Sequence, residues 1–165
     1  MFAMDLNTTL RFPADPGTVF EMLTDTDFLG RKAKAANAIR HEASVNRDGD
    51  RVTIRLLRVM PPDVPDFVRR FVGESIDLEQ TDVWEPPTAD GSRQGTISID
   101  MRGAPVTLRG TMRLTPDGTS TVVRISGKVK ASVPFVGGKI EAAVHDGLIE
   151  AARREEEVGR EWLVG

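Results

Sequence analysis

The strongest constraint on the fold is a long helical pattern near the C-terminal end of the chain. An apolar stripe of that length needs a broad partner, since a helix of about 27 residues is about 40 Å long at 1.5 Å per residue. The only candidate partner in the remaining sequence is a β-sheet. The stripe recurs at the 3.6-residue spacing of one helix face and consists of Val136, Ile140, Ala143, Val144, Gly147, Leu148, Ala151, Val158 and Trp162.

The N-terminal part of the chain predicts one strand followed by two short helices. Apolar and polar side chains alternate from Leu6 to Phe12, which is the pattern of a half-buried strand. Asp15 followed by Pro16 is typical of a helix start, because the carboxylate caps free amides and proline fits the first turn. A second helix, capped by Thr26 or Asp27, is predicted to follow.

Six more strands are predicted between the second helix and the last one. The period of two begins at Ile39, and Asp48-Gly49 marks a hairpin turn because such turns need positive φ. A proline-rich segment at 60–65 interrupts the pattern, and a short helical turn is predicted over 66–72.

This order of elements predicts the fold class. The chain reads as strand, two helices, six strands and one long helix, which favours an α+β architecture. We predict a helix-grip fold, in which a curved antiparallel sheet of about seven strands wraps around the C-terminal helix. Residues 1–165 are expected to form a single domain.

Composition excludes several function classes. The sequence has no cysteine, which excludes disulfides, thiolate metal sites and cysteine nucleophiles and suits a cytoplasmic location. The net charge of −3 and the scattered basic residues argue against nucleic-acid binding. No apolar run approaches the roughly 20 residues of a membrane span, and the first twelve residues lack a secretory pattern. The two histidines lack suitably spaced carboxylates, so we predict no metal site. The sequence has neither a phosphate-binding loop nor a serine elbow, so we predict no cofactor and no serine nucleophile of that kind.

Three glycines fall among the side chains expected on the concave face of the sheet and on the helix stripe, namely Gly110, Gly127 and Gly147. Small residues at such positions remove volume, as a ligand cavity requires. Glycine inside a strand also marks a bend or a bulge. Both interpretations remain open at this point.

Four polar side chains share a register with apolar ones and are candidates for a site: His41, Arg58, Gln80 and Asp82. Since a buried charge must be paired, Arg58 and Asp82 are predicted to form an ion pair. His41 would then be able to carry protons. The alternative is a structural ion pair with no catalytic part, and polar residues at frayed strand ends.

The segment that opens the last helix carries a family resemblance. Val133-Pro134-Phe135-Val136-Gly137-Gly138-Lys139-Ile140-Glu141, together with Trp162-Leu163 at its close, resembles the START-like superfamily. That group includes polyketide cyclases, lipid-transfer domains and plant allergen-type carriers. The chain is most similar to an actinobacterial family of unknown function within it. The resemblance implies the helix-grip fold and leaves the chemistry open, because the fold serves carriers, cyclases, hydrolases and sensors.

Three functional hypotheses follow. The first is binding, transport or sensing of an apolar small molecule such as a lipid, polyketide or isoprenoid. The second is a cyclase or dehydratase that uses the same cavity, and the third is a monomeric or homodimeric interaction protein with a filled core. Residues 60–72 are predicted to form a lid or, alternatively, a plain crossover. The predicted ligand-binding residues are His41, Ile54, Arg58, Leu78, Gln80, Asp82, Ile97, Ile99, Met101, Leu108, Met112, Ile125, Ile140, Val144, Gly147 and Leu148.

Overall fold

A seven-stranded antiparallel sheet is the frame of the protein in the computed structural model, which describes residues 3–165 except for the side chains of Phe71 and Val72. The spatial order of the strands is β1-β7-β6-β5-β4-β3-β2, and every neighbouring pair is antiparallel. The strands are β1 (Met4–Phe12), β2 (Arg40–Asp48), β3 (Arg51–Met60), β4 (Ile76–Trp84), β5 (Arg93–Met101), β6 (Val106–Asp117) and β7 (Ser120–Ala131).

Four helices accompany the sheet, and the longest lies across its concave face. The helices are α1 (Pro16–Leu23), α2 (Thr26–Ala35), α3 (Asp66–Val72) and α4 (Gly137–Val164). Helix α4 packs against β1, β7 and α2. The structure confirms the predicted order of elements and the predicted helix-grip fold.

Helix starts follow the predicted capping chemistry with one correction. The Asp15 carboxylate accepts a hydrogen bond from the Thr18 amide at 3.1 Å, as expected for the cap of α1. The cap of α2 is Asp25, whose carboxylate accepts from the amides of Asp27 and Phe28, so neither Thr26 nor Asp27 caps this helix. Thr26 and Asp27 instead occupy the first helical turn.

The start of α4 is fastened to the end of β7. The buried Glu141 carboxylate accepts a hydrogen bond from the Ala131 amide at 2.9 Å. A Cβ on Gly137 would lie 2.7 Å from the Ala131 carbonyl oxygen, so this close approach requires glycine. The sequence pattern set Glu141 apart from the apolar stripe, whereas the structure buries it because it satisfies a strand amide.

The interior differs between the two ends of the sheet. At one end, which we call the packed end, Phe12, Phe28 and Leu114 are fully buried beneath the C-terminal half of α4. The rings of Phe28 and Trp162 meet edge to face there, with centroids 5.8 Å apart. At the other end, which we call the hollow end, α3 and the N-terminal half of α4 cover a smaller cluster made of Val68, Ile76, Met101, Val106, Ala131 and Ile140.

Candidate ligand-binding cavity

A cavity of about 300 Å³ occupies the hollow end, between the sheet and α4. Its size is at the lower limit of small-molecule sites, which range from about 300 to 1,000 Å³. Exposed Asn37, Asp63 and Glu150 mark the side on which it meets solvent. Its apolar wall is made of Met60, Val64, Val68, Ile76, Leu78, Ile99, Met101, Val106, Leu108, Ala143, Val144, Leu148 and Ala151.

The three glycines, two on the sheet and one on α4, divide between the two interpretations. Gly110 and Gly127 are register partners on β6 and β7, and a Cβ on Gly127 would lie 2.7 Å from the Arg109 carbonyl oxygen. These two glycines therefore permit a close approach of backbones. Gly147 lines the cavity, and nothing lies within 4 Å of the position that its Cβ would take. Gly147 is exposed, so its missing side chain leaves open space at the solvent-facing edge of the cavity.

The segment between β3 and β4 forms one wall of the cavity. Met60, Pro61, Asp63, Val64 and Val68 all line it, and Val68 is only 2% exposed. The side chain of Phe71, which the sequence placed in the same segment, lies outside the described part of the structure. Residues 60–72 thus stand where a lid would stand, and their movement remains a prediction.

A buried chain of polar groups borders the cavity. The Arg58 Nη2 donates to the Gln80 Oε1 at 2.7 Å. The Gln80 Nε2 donates in turn to both carboxylate oxygens of Asp82, at 3.1 and 3.2 Å. All three side chains are 7% exposed. The predicted direct ion pair of Arg58 and Asp82 is therefore wrong in detail, because Gln80 stands between them.

Burial sets the electrostatics of this chain of groups. Burial raises the pKa of the Asp82 carboxyl, and the Lys32 ammonium and the Gln80 hydrogen bonds only oppose that shift. Burial also lowers the pKa of the Arg58 guanidinium, against the attraction of Asp82 and Glu155. The guanidinium keeps its charge, since arginine does not deprotonate in proteins.

A second, smaller void of about 60 Å³ adjoins the same residues. Arg58, Ile99, Leu108 and Leu148 line both spaces, so the two are neighbours. An ion pair lies on the wall of the smaller void, where the Lys32 Nζ is 3.1 Å from a Glu155 carboxylate oxygen. It connects α2 to α4, and the sequence analysis did not single it out.

The predicted site residues fall into three groups. Eight of them line the main cavity: Arg58, Leu78, Ile99, Met101, Leu108, Val144, Gly147 and Leu148. Gln80, Ile97 and Ile125 line only the smaller void. Four others, Ile54, Asp82, Met112 and Ile140, are buried but line neither space.

His41 lies apart from these groups. It is exposed on β2, which is an edge strand, and its Nε2 packs against Gly30 of α2. His41 faces Arg58 across the β2–β3 pair and lines a surface groove that it shares with Arg58 and Leu78, but it does not line the main cavity. The structure therefore does not bring His41 into the cavity with Arg58.

The sequence analysis also missed part of the wall. Ala36, Asn37, Thr107 and Arg154 line the cavity, although none carries an obvious functional signal in the sequence. Ala151 belongs to the predicted apolar stripe but was not assigned to the site. Among the residues that the structure describes, no group of three or more acidic, histidine or cysteine side chains is arranged to hold a metal ion. None of the described helices is both long enough and apolar enough to cross a membrane.

Solved structures share this fold at low sequence identity. The STAR-related lipid transfer protein of Xanthomonas axonopodis has a TM-score of 0.60 at 15% identity, covering 96% of this chain and 85% of that one. The Zhui aromatase/cyclase of Streptomyces has a TM-score of 0.58 at 17% identity, covering 94% of each chain. These likenesses show a START-like helix-grip fold.

Relatives in sequence are mycobacterial. An uncharacterized protein of Mycobacterium tuberculosis strain H37Rv is 25% identical over 128 residues, which cover 76% of this chain and 73% of that protein. A family model described as "Protein of unknown function (DUF2505)" matches residues 7–163. Because that match spans nearly the whole sequence, the chain belongs to the DUF2505 family.

Proposed function

We propose that this protein binds an apolar small molecule in the cavity at its hollow end, as a carrier, buffer or sensor. The observation that carries the proposal is the cavity of about 300 Å³ with apolar walls between the sheet and α4. Covering apolar ligand surface stabilises a complex by about 25 cal/mol per Å².

The neighbours in fold support this proposal by analogy only. One of them is named a lipid transfer protein and another an aromatase/cyclase, and both names describe those proteins. A fold does not determine a function, so the argument rests on the cavity itself. A filled core, as the interaction-protein hypothesis requires, does not fit open space of this size beside α4.

An enzyme is the second candidate, and the buried Arg58–Gln80–Asp82 chain beside the cavity is the observation that favours it. General acid–base catalysis needs a group within hydrogen-bond reach of the substrate. Asp82 lines neither space, and His41 lies on the edge strand. The geometry therefore favours binding over proton transfer.

The test is a cavity-filling substitution with a matched control on the same helix. Gly147→Leu places a branched side chain at the exposed edge of the cavity, where it would obstruct entry, whereas Gly138→Leu adds the same side chain outside the cavity lining. The apolar fluorescent reporter N-phenyl-1-naphthylamine is titrated into the wild type and both variants. We expect saturable binding to the wild type and to Gly138→Leu, and at least tenfold weaker binding to Gly147→Leu.

Two results would contradict the proposal. One is that the folded wild type, checked by circular dichroism, gives no saturable fluorescence increase. The other is that Gly147→Leu binds the reporter as tightly as Gly138→Leu does. Native mass spectrometry of freshly purified protein adds a second measurement, because a retained apolar ligand would appear as a mass that Gly147→Leu loses.

A further inference from the structure

The buried guanidinium of Arg58 is only partly hydrogen-bonded within the protein. Its Nη2 donates to Gln80, but its Nε is buried and has no hydrogen-bond partner within the described part of the chain. The Arg58 side chain lines the main cavity, the smaller void and the surface groove that contains His41, so it borders all three spaces. A buried donor without a partner costs free energy, and a charged one costs more.

The surrounding groups hold Arg58 in this arrangement. The Gln80 amide nitrogen donates hydrogen bonds to both oxygens of Asp82, and this orients the Gln80 carbonyl oxygen toward Arg58. In the β3–β4 register, Arg58 lies opposite Leu78, and Asp82 lies opposite Ile54. Gln80 lies on β4 midway between Leu78 and Asp82, two residues from each. The Asp82 carboxylate is therefore held away from the guanidinium by the intervening amide.

The other nearby carboxylate is also engaged. Glu155 pairs with Lys32 at 3.1 Å on the wall of the smaller void. Within the described residues, no carboxylate lies within 4.0 Å of the Arg58 nitrogens. Buried charges in proteins are normally paired, so Arg58 is a cation that lacks a contacting counter-ion.

From this we infer that the ligand is an apolar acid, whose anionic oxygen head accepts hydrogen bonds from Arg58 while its apolar body fills the main cavity. The inference rests on the proposed function, since it names the class of ligand for the same cavity. Hydrogen bonds between a guanidinium and a carboxylate are short and strong, and burial strengthens them. Leu78, Ile99 and Leu148 lie on the cavity wall with Arg58 and would contact the apolar body.

The test compares three probes of equal chain length. Decanoate, decanamide and 1-decanol are each titrated into the wild type loaded with N-phenyl-1-naphthylamine, and displacement of the reporter is measured at pH 7.5, where decanoate is ionised. We expect decanoate to bind ten- to hundredfold more tightly than 1-decanol, which is the range for a hydrogen bond to a charged group. Decanamide, whose carbonyl oxygen is a neutral acceptor, should fall between them.

Two substitutions on β3 locate the effect. Arg58→Met keeps an unbranched apolar stem and removes the charged guanidinium, so the ratio of decanoate to 1-decanol affinity should fall to about one. Arg55→Met is the matched control, since Arg55 is exposed and pairs with Glu79 outside the cavity. It should retain the wild-type ratio. If Arg58→Met does not fold, Arg58→Lys replaces it and should lower the ratio by removing the forked donors.

The outcomes separate this inference from the proposed function. Equal binding of decanoate and 1-decanol by the wild type overturns the anionic head but leaves apolar binding in place. Equal binding of decanoate and decanamide reduces the head to a neutral acceptor and likewise overturns it. A preference for decanoate that survives in Arg58→Met assigns the head to another residue. If the reporter binds Gly147→Leu as tightly as it binds Gly138→Leu, the proposed function itself is contradicted.

Discussion

Two glycines on α4 show how differently its ends are used. Gly147 lies over the hollow end and has nothing within 4 Å of where a Cβ would be. Gly159 lies over the packed end, where a Cβ would collide with the ring of Phe12 and approach the Met22 methyl group within 3.1 Å. One glycine leaves space and the other admits a neighbour. The same residue type on one helix therefore serves a cavity at one position and close packing at the other.

The largest expected difference between the two ends comes from removing a leucine side chain. Leu114 is 0% exposed at the packed end, so Leu114→Ala should destabilise the protein by about 2–5 kcal/mol. Leu78 already faces the cavity and is half-buried, so Leu78→Ala should cost about 1 kcal/mol, as less packing is lost. Urea denaturation of both variants measures these values. Equal losses would remove the distinction between a packed and a hollow end.

The two glycines give a second comparison, with opposite signs. Alanine is favoured over glycine inside a helix by about 1 kcal/mol, so Gly147→Ala should raise the free energy of unfolding by up to that amount. Gly159→Ala should lower it by about 1–3 kcal/mol, because Phe12 is fully buried and has little room to move. Thermal and urea denaturation would reveal the signs. If Gly159→Ala were more stable than the wild type, Phe12 and Met22 could move aside to admit a methyl group, and the packed end would not be tightly packed at this position.

The third prediction concerns Asp82, which lies between the two ends. Burial raises its pKa in the folded state above the unfolded value of about 3.9, so the folded protein binds the proton more tightly. Its contribution to stability is complete below the unfolded value and is lost as the pH rises through the folded pKa. Wild type should therefore lose stability relative to Asp82→Asn on going from pH 4 upward, by at most about 1.4 kcal/mol per pH unit.

Stability measured against pH for both proteins checks this sign. Parallel curves would mean that Asp82 titrates alike in the folded and unfolded states. If the wild type instead becomes more stable relative to Asp82→Asn as the pH rises, Lys32 and Gln80 lower the pKa of Asp82 by more than burial raises it. Either result would change the electrostatic description of the boundary.

Much of the fold could be predicted because its signals are periodic. The alternation on β4 and β5 placed Leu78 and Ile99 on the inner face, and the 3.6-residue stripe placed Val144 and Leu148 opposite them. These four side chains line the cavity as expected. The sequence pattern could not tell a packed glycine from an open one, because what surrounds Gly147 and Gly159 depends on which elements pack against α4.

The errors in the polar residues have a related origin. The link between β3 and β4 is long, so the sequence does not set their register, and the actual register separates Arg58 from Asp82 by the position of Gln80. His41 has the alternation of an inner residue, but its strand lies at the sheet edge, which strand periodicity does not reveal. A charged residue such as Glu141 is expected to be solvated, although here it accepts a hydrogen bond from an amide of β7.

The attachment of α4 at two separated places has a consequence for the size of the cavity. Glu141 holds one end to β7, and Gly159 seats the other on Phe12. The two positions are eighteen residues apart, or about 27 Å of helix, and a helix held at both ends does not depend on tight packing beneath its middle to stay in place. Residues 143–151 can therefore gain or lose bulk while the supports stay in place, which allows the enclosed volume to change without a change of architecture.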